Sequence, residues 1–222
     1  MKKIIITGSS GLIGKKVSNF LKKKFKIILI DLKLGHDLNN EIHVKEIFKS
    51  NKDASYLINL HGLNDHVKKN RKKKESNKDI FFRYSLNNVY SLYLTNKYFI
   101  NYCKQGKGII NFASLYGINS PKHFLYEYPK DIFYITSKYS VIGLTKYFAT
   151  LYGKKINVNC IVNGGILNNQ PSSFLKAIKK HIPKGRMMKV SDLFGIIELL
   201  CSEKSKYISG SPIIIDGGYS SW

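Results

Sequence analysis

A tyrosine four residues ahead of a lysine is a reactive spacing, because a helix sets both side chains on one face. A phenol with a pKa of ~10 is a poor base near neutrality. An adjacent ammonium favours its anion, so the pair can exchange a proton with a substrate oxygen. The chain holds three such pairs, Tyr93–Lys97, Tyr126–Lys130 and Tyr134–Lys138. With 15 Tyr and 34 Lys in 222 residues, about two are expected by chance, so context must choose among them. Pro129 stands directly before Lys130 and disfavours a continuous helix there. The Tyr93 pair precedes a strand-like run and has no serine-bearing strand end before it. Only Tyr134–Lys138 follows a strand that ends in a serine, Ser114, and opens a long helical pattern, FYITSKYSVIGLTKYFATLYG.

Near the N-terminus, TGSSGLIG sets glycines three apart at positions 8, 11 and 14. Gly8 can turn the chain out of a strand, Gly11 lets backbone approach a diphosphate, and Gly14 lets the following helix pack closely on a sheet. The diphosphate then lies at a helix N-terminus, where free N–H groups and the helix dipole favour anions. Gly8, Ser10, Gly11, Leu12, Ile13 and Gly14 are therefore assigned to a dinucleotide. Asp31 ends the next apolar run, about 20 residues on, where a carboxylate accepts hydrogen bonds from the adenosine ribose. That favours NAD, because a 2′-phosphate would be repelled, while Lys33 leaves NADP open. Asp37 and Leu38 follow closely and are expected beside the adenine.

These residues need a frame of alternating strands and helices. Strand-like runs fall at 3–7, 26–31, 55–60, 108–114, 155–162 and 212–216, with helical patterns between them. The alternation implies an α/β chain, a Rossmann-like doubly wound parallel sheet of six to seven strands with helices on both faces. No linker or repeat divides the 222 residues, so 1–222 reads as a single domain. The charge is lopsided, 37 Lys+Arg against 14 Asp+Glu, which suggests a polyanionic partner. Yet only three of those cations are Arg, the residue suited to bidentate base and phosphate contacts, and the lysines are spread along the chain. No apolar run approaches the ~20 residues of a membrane span. Neither membrane nor specific nucleic acid is expected as a partner. The densest charge block, 68–78, reads as an exposed loop. Cys103, Cys160 and Cys201 lack paired spacing, so no metal is expected, and the chain reads as cytoplasmic.

The motifs agree with one another in order along the chain. Asn59-Leu60-His61-Gly62 looks like an Asn-Asn-Ala-Gly element, Asn88 stands in Asn-Val-x-Ser, and NFASLYG carries Ser114. Tyr207 to Gly210 and Ile215 to Gly218 look like a closing strand and its flanks. Over nearly its whole length the chain resembles the short-chain dehydrogenase/reductase family. The resemblance implies a catalytic tetrad of Asn88, Ser114, Tyr134 and Lys138. Hydride would pass between nicotinamide C4 and a substrate carbon while Tyr134 exchanges the proton, Ser114 holds the substrate oxygen, Lys138 also holds the nicotinamide ribose, and Asn88 fixes a water. It implies further cofactor contacts at Asn59, His61, Gly62, Gly164 and Ile166. It also implies a homodimer or homotetramer joined through the helices at 88–104 and 134–152.

Three departures from the family pattern bear on function. Only 23 residues separate Asp31 from Ser55, and they hold one good helical stretch, 40–49. The helix after the second strand is expected to be absent and the third strand a stub near 36–38. Asn163-Gly164 stands where the family usually has Pro-Gly. Ser114 and Tyr134 are 20 apart, wider than is usual in the family, so 118–132 is an insertion bordering the pocket. This insertion, with Gly164 to Pro171, resembles a subgroup of oxidoreductases in bacterial surface-sugar pathways, those of legionaminic acid and flagellin glycans. Tyr116, His123, Tyr126, Tyr128, Asn168, Asn169 and Gln170 suit a hydroxyl-rich substrate, and Tyr116, Tyr126, Asn168 and Gln170 are the substrate candidates. A sugar or nucleotide sugar is the expected substrate. Two alternatives stand beside it, a 3-oxoacyl-thioester or other small-carbonyl reductase with a more apolar mouth, and a basic nucleic-acid-binding protein.

Overall fold

The computed structural model describes residues 1–64 and 75–222. Short β-branched runs become six strands: β1 (Lys3–Thr7), β2 (Lys26–Ile30), β3 (Ala54–Asn59), β4 (Gly108–Phe112), β5 (Asn157–Asn163) and β6 (Pro212–Ile215). They pair in parallel throughout, in the order β2-β1-β3-β4-β5-β6. The longer amphipathic stretches become α1 (Leu12–Leu21), α2 (Glu41–Ser50), α3 (Asn77–Tyr84), α4 (Ser91–Tyr102), α5 (Ile132–Tyr152), α6 (Ser172–Lys179) and α7 (Phe194–Leu200). Every residue of β3 and β4 is buried, as a parallel strand with both faces covered requires.

Two cores result. On one face Val44, Phe48, Leu94, Phe99 and Phe148 from α2, α4 and α5 pack on Ile5, Leu57 and Ile109. On the other, Val17, Leu21, Ile197 and Leu200 from α1 and α7 pack on Ile4, Ile6, Ile58 and Ile110. Leu94, Tyr98 and Phe148 therefore belong to the core, whereas Tyr90 and Tyr147 are exposed. The chain leaves β1 toward β2 and returns to β3 on β1's other side. The crevice outside the carboxyl ends of β1 and β3 is thus a topological switch point, where open α/β sheets bind ligands.

The stretch after β2 corrects one expectation. No third strand forms near 36–38. Instead Leu32–Leu34 make a single 3-10 turn closed by Gly35 at φ +84, and the chain runs on to Asn40, which caps α2 by accepting from the His43 N–H at 3.1 Å. Nine residues are too few for a strand and its return. One buried anchor ties the segment down, Leu38, packed in the core with Ile30, Val44 and Ile47. That leaves β2 as the sheet edge and makes the sheet six-stranded. Of the basic block at 68–78, positions 68–74 lie outside the described residues. Positions 77 and 78 are helical, because Ser76 and Asp79 form a capping box that starts α3.

Candidate active site

The glycine loop is held by contacts that exclude side chains. Gly8 has φ +66, and a Cβ there would stand 2.5 Å from the His61 backbone N, so the turns after β1 and β3 touch. A Cβ on Gly14 would fall 2.3 Å from the Gly8 carbonyl. Gly11 is the N-cap of helix α1 and offers no side chain, which leaves the helix's first N–H groups for a ligand. Ser9 Oγ is buried beside it without a hydrogen-bond partner. The Asp31 carboxylate accepts from Ser10 N–H at 2.9 Å and from Lys33 N–H at 2.9 Å, clasping the loop to the end of β2. An uncapped helix end, a cradle closed to Cβ atoms and an acid at the next strand's end fit a dinucleotide. Asp37 accepts from Asn39 N–H at 2.9 Å on the rim, while Leu38 turns its side chain inward.

The tetrad candidates come from three segments. Ser114 follows β4, where its Oγ accepts from Tyr116 N–H at 3.2 Å and opens a 3-10 turn, Leu115–Gly117. A Cβ on Gly117 would stand 2.8 Å from the Lys138 carbonyl, so α5 lies hard against that turn and Tyr134 meets Ser114. Burial pushes the Tyr134 hydroxyl up to about 12, opposed by its hydrogen bond with Ser114. Lys138 Nζ donates to the Phe112 carbonyl at 3.2 Å and lies 5.8 Å from the Tyr134 ring centre. Burial pushes its ammonium down to about 8. A protonated phenol, a hydroxyl and a desolvated ammonium that gives up its proton readily can move a proton at a substrate oxygen.

Asn88 is buried, not on a helix surface. Between α3 and α4, Ser85–Tyr90 form one π-helical turn, the kind of bulge that re-aims side chains at functional sites. Asn88 Oδ1 accepts from Leu63 N–H at 2.6 Å, and Nδ2 donates to the Leu63 carbonyl at 3.1 Å and to Ser137 Oγ at 2.9 Å. Gly62, at φ +148, fits between this amide and the lysine, since a Cβ on it would stand 3.2 Å from Asn88 Oδ1 and 3.9 Å from Lys138 Nζ. Neighbouring Asn87 faces away and accepts from Asn39 Nδ2 at 3.1 Å.

Other assigned residues serve the framework. Asn59 is buried, with Thr7 Oγ1 donating to its Oδ1 at 3.1 Å and its Nδ2 donating to Asn111 Oδ1 at 2.9 Å. Asn111 Nδ2 continues the chain to Thr145 Oγ1 at 3.0 Å. The Asn59 side chain thus ties β1, β3 and β4 together beneath the cofactor crevice. His61 is likewise engaged at both ring nitrogens, Nδ1 2.6 Å from Thr7 Oγ1 and Nε2 3.0 Å from Ser91 Oγ. Burial first, and Lys138 second, push its pKa down to about 3. The ring is neutral, with both nitrogens engaged inside the protein. A Cβ on Gly164 would meet Asp216 Cα at 2.9 Å. Ile166 bridges Met188 through the Gly165 carbonyl and Leu167 N–H, a pattern that does not use its own N–H.

On the substrate side the Tyr116 and Tyr126 hydroxyls hydrogen-bond each other, and burial pushes both upward. Gln170 bends back on its own loop instead, accepting from Asn168 N–H at 2.7 Å and donating to the Ile166 carbonyl at 2.8 Å. Asn168 is exposed. Two tyrosines that the sequence did not single out join the aromatic cluster. Tyr84 sets its ring edge-on to Tyr134 at 6.1 Å. Tyr219 is 5% exposed in the same cluster. Its signal was the Asp-Gly-Gly run before it: Asp216 accepts from Gly218 and Ser220 N–H groups, both at 2.9 Å, a turn that throws Tyr219 inward. Among the described residues no group of three or more His, Cys, Asp or Glu could hold a metal ion, and no helix is long and apolar enough to cross a membrane.

Residues 13–220 match the family described as enoyl-(acyl carrier protein) reductase. Post-translational flagellin modification protein A of Campylobacter coli is 26% identical over 251 residues, covering 98% of each chain. The 2-dehydro-3-deoxy-D-gluconate 5-dehydrogenase of Escherichia coli K12 is 36% identical over 135 residues, 55% of this chain and 48% of its own. A short chain dehydrogenase of Leptospira borgpetersenii, solved with bound NAD+, superposes with a TM-score of 0.85 at 30% identity, covering 99% of this chain and 92% of that one. Together with the parallel sheet and the glycine loop, these matches identify the chain as a member of the short-chain dehydrogenase/reductase family, an oxidoreductase with an NAD(P)-binding fold.

Proposed function

We propose that the protein interconverts a hydroxyl and a carbonyl on a sugar or sugar nucleotide used in surface-glycan synthesis, with NAD as cofactor. The observation that carries this reading is the meeting of Ser114, Tyr134, Lys138 and Asn88 beside the glycine loop. Ser114 holds the substrate oxygen and Tyr134 exchanges its proton. Lys138 favours the phenolate, which burial alone opposes. Asn88, fixed on Leu63 and Ser137, holds the water that leads from Lys138 to solvent. The bound cofactor supplies the hydride acceptor or donor.

Asp31 supports NAD, because its carboxylate stands at the loop where a 2′-phosphate would have to lie. The hydroxyls of Tyr116, Tyr126 and Tyr219 support a hydroxylated substrate, and the similarity to a flagellin modification protein supports a glycan role. Tyr90, Tyr139, Tyr147 and Leu151, exposed on α5 and the turn before α4, support association into a homodimer or homotetramer. A second reading, a thioester-linked carbonyl substrate, draws on the matched family's description and on Leu63, Leu125 and Phe174, partly buried against the aromatic cluster around Tyr134. Fluorescence titration with NADH and NADPH, followed by a turnover screen of sugars, sugar phosphates, nucleotide sugars and 3-oxoacyl thioesters, separates these. Tighter NADPH binding overturns the NAD assignment, and turnover confined to thioesters overturns the sugar.

A further inference from the structure

A run of buried polar side chains crosses the sheet beneath the crevice, and the direction of its protons is fixed from one end. On α5, Thr145 Oγ1 donates to the Val141 carbonyl at 2.8 Å, so toward Asn111 Nδ2 it accepts. Asn111 then turns Oδ1 to Asn59 Nδ2, and Asn59 turns Oδ1 to the Thr7 hydroxyl. Thr7, the residue before Gly8, has given its one proton to Asn59, yet His61 Nδ1 lies 2.6 Å away. The ring nitrogen must supply the proton of that bond. The other end makes the opposite demand. The Ser91 hydroxyl, at the start of α4, is 2.8 Å from the Asn87 carbonyl and 3.0 Å from His61 Nε2. If it donates to the carbonyl, Nε2 must donate to it. A neutral imidazole has one proton for the two demands, and burial, with Lys138 nearby, keeps this one neutral. The costs are unequal. Were Thr7 to turn to Nδ1, Asn59 Oδ1 would be buried with no other donor among the described residues. The Asn87 carbonyl lies in a π turn, whose carbonyls also meet backbone N–H groups.

We propose that His61 is a positioning residue, held as the Nδ1–H tautomer, that fixes the glycine loop at Thr7 to the π turn at Ser91. Ser91 is three residues past Asn88, and Asn88 grips the backbone of Leu63, two residues past His61. The imidazole thus closes a ring of bonds around the asparagine. The glycine loop and Asn88 keep one relative position while both ring nitrogens are engaged. The inference rests on the reading of Asn88 and Tyr134 as parts of the reacting site.

Heteronuclear NMR of the wild-type protein with isotope-labelled histidines reads the tautomer, the His61 signals being those missing from His61→Gln. The expected pattern is a protonated Nδ1 and a bare Nε2, the reverse of the tautomer that free histidine side chains favour. A proton on Nε2, alone or together with Nδ1, at neutral pH overturns the proposal, whatever the stability of any variant. Two amides then separate the ends, because Asn places an N–H donor where Nδ1 stands and Gln places an oxygen where Nε2 stands. His61→Asn should keep the Kd for NADH and lower kcat about tenfold, and His61→Gln should keep kcat and weaken NADH binding about tenfold, the scale of one lost buried hydrogen bond. Equal losses in the two variants, or an unchanged kcat in His61→Asn, overturn the positioning role. Full turnover in Tyr134→Phe overturns the underlying reading instead, and leaves the tautomer to be judged by itself.

Discussion

At the end of the cleft proposed to hold adenosine, from Gly8 to Leu38, the surface offered to a ligand is mostly backbone. It consists of an uncapped helix start, three glycines at fixed spacing and one carboxylate already bonded to two N–H groups. At the end proposed for the substrate the surface is made of side chains, tyrosines from five separate segments and a lysine packed on one of them. The first end has lost length, since a single 3-10 turn stands where the family has a helix and a strand, and its rim is open, with Leu32 72% exposed. The second has gained length, and its tyrosines are largely buried. Backbone recognition tolerates this trimming because a diphosphate is bound by N–H groups whatever lies beyond them. Side-chain recognition depends on where distant segments cross.

The largest effect that tests this contrast is at the substrate end. Tyr134→Phe should lower kcat by about 10²- to 10⁴-fold, the range for losing a general acid–base group, while NADH titration gives an unchanged Kd. Comparable losses in both would mean that the two ends are not separable. Next comes the adenosine end. Gly14→Ala should weaken NADH binding by at least about tenfold, because its Cβ falls 2.3 Å from a carbonyl that has no rotamer to escape into. Gly143→Ala, with nothing within 4 Å of its Cβ in α5, serves as the control. It should leave binding intact and raise stability by about 1 kcal/mol in denaturant unfolding. Equal binding by the two variants would break the account of the glycine cradle.

The smallest effect is a pH dependence belonging to the substrate end. Burial holds both Lys130 and Lys138 at about 8 in the folded chain, below their ordinary 10.5. From about pH 8 upward the unfolded chain therefore binds protons that the folded one has released, and stability rises with pH. Above ~10 the effect reverses as unfolded tyrosines lose protons that Tyr134, at about 12, keeps. The melting temperature of the cofactor-free protein should accordingly climb between pH 8 and 10, and less so in Lys138→Met. A falling melting temperature across that window would show that neither lysine is desolvated.

The same division explains what was legible in the sequence. The strands and the glycine loop depend on local spacing, and the fold realises them, with Asp31 at the end of β2 and Ser114, Tyr134 and Lys138 brought near one another. The strand expected near 36–38 failed because Leu38 is a lone anchor, and one apolar residue cannot announce whether it belongs to a strand or a loop. The side chains of Asn59 and His61 bond Thr7, Ser91 and Asn111, which come from other elements, so these partners could not be read from local spacing. Gln170 bends onto its own loop, a choice between short-range and long-range bonds that composition does not encode. Tyr84 and Tyr219 reach the same cluster from α3 and the C-terminal turn, 135 residues apart in sequence, and only the crossing of those segments brings them together.

The single π turn at Ser85–Tyr90 acts as a phase shifter. An α-helix advances about 100° per residue, so one extra residue lets two helices share nearly one axis while facing different neighbours. Upstream of the turn, Ile80 and Tyr84 look toward Tyr134. Downstream, Leu94 and Phe99 look into the main core. Asn88 sits at the join. Removing one residue from the turn would restore a regular helix and force a choice between those two faces, a phase error that no side-chain substitution could repair. In this sense the asparagine's position is set by a count of residues as much as by any contact it makes.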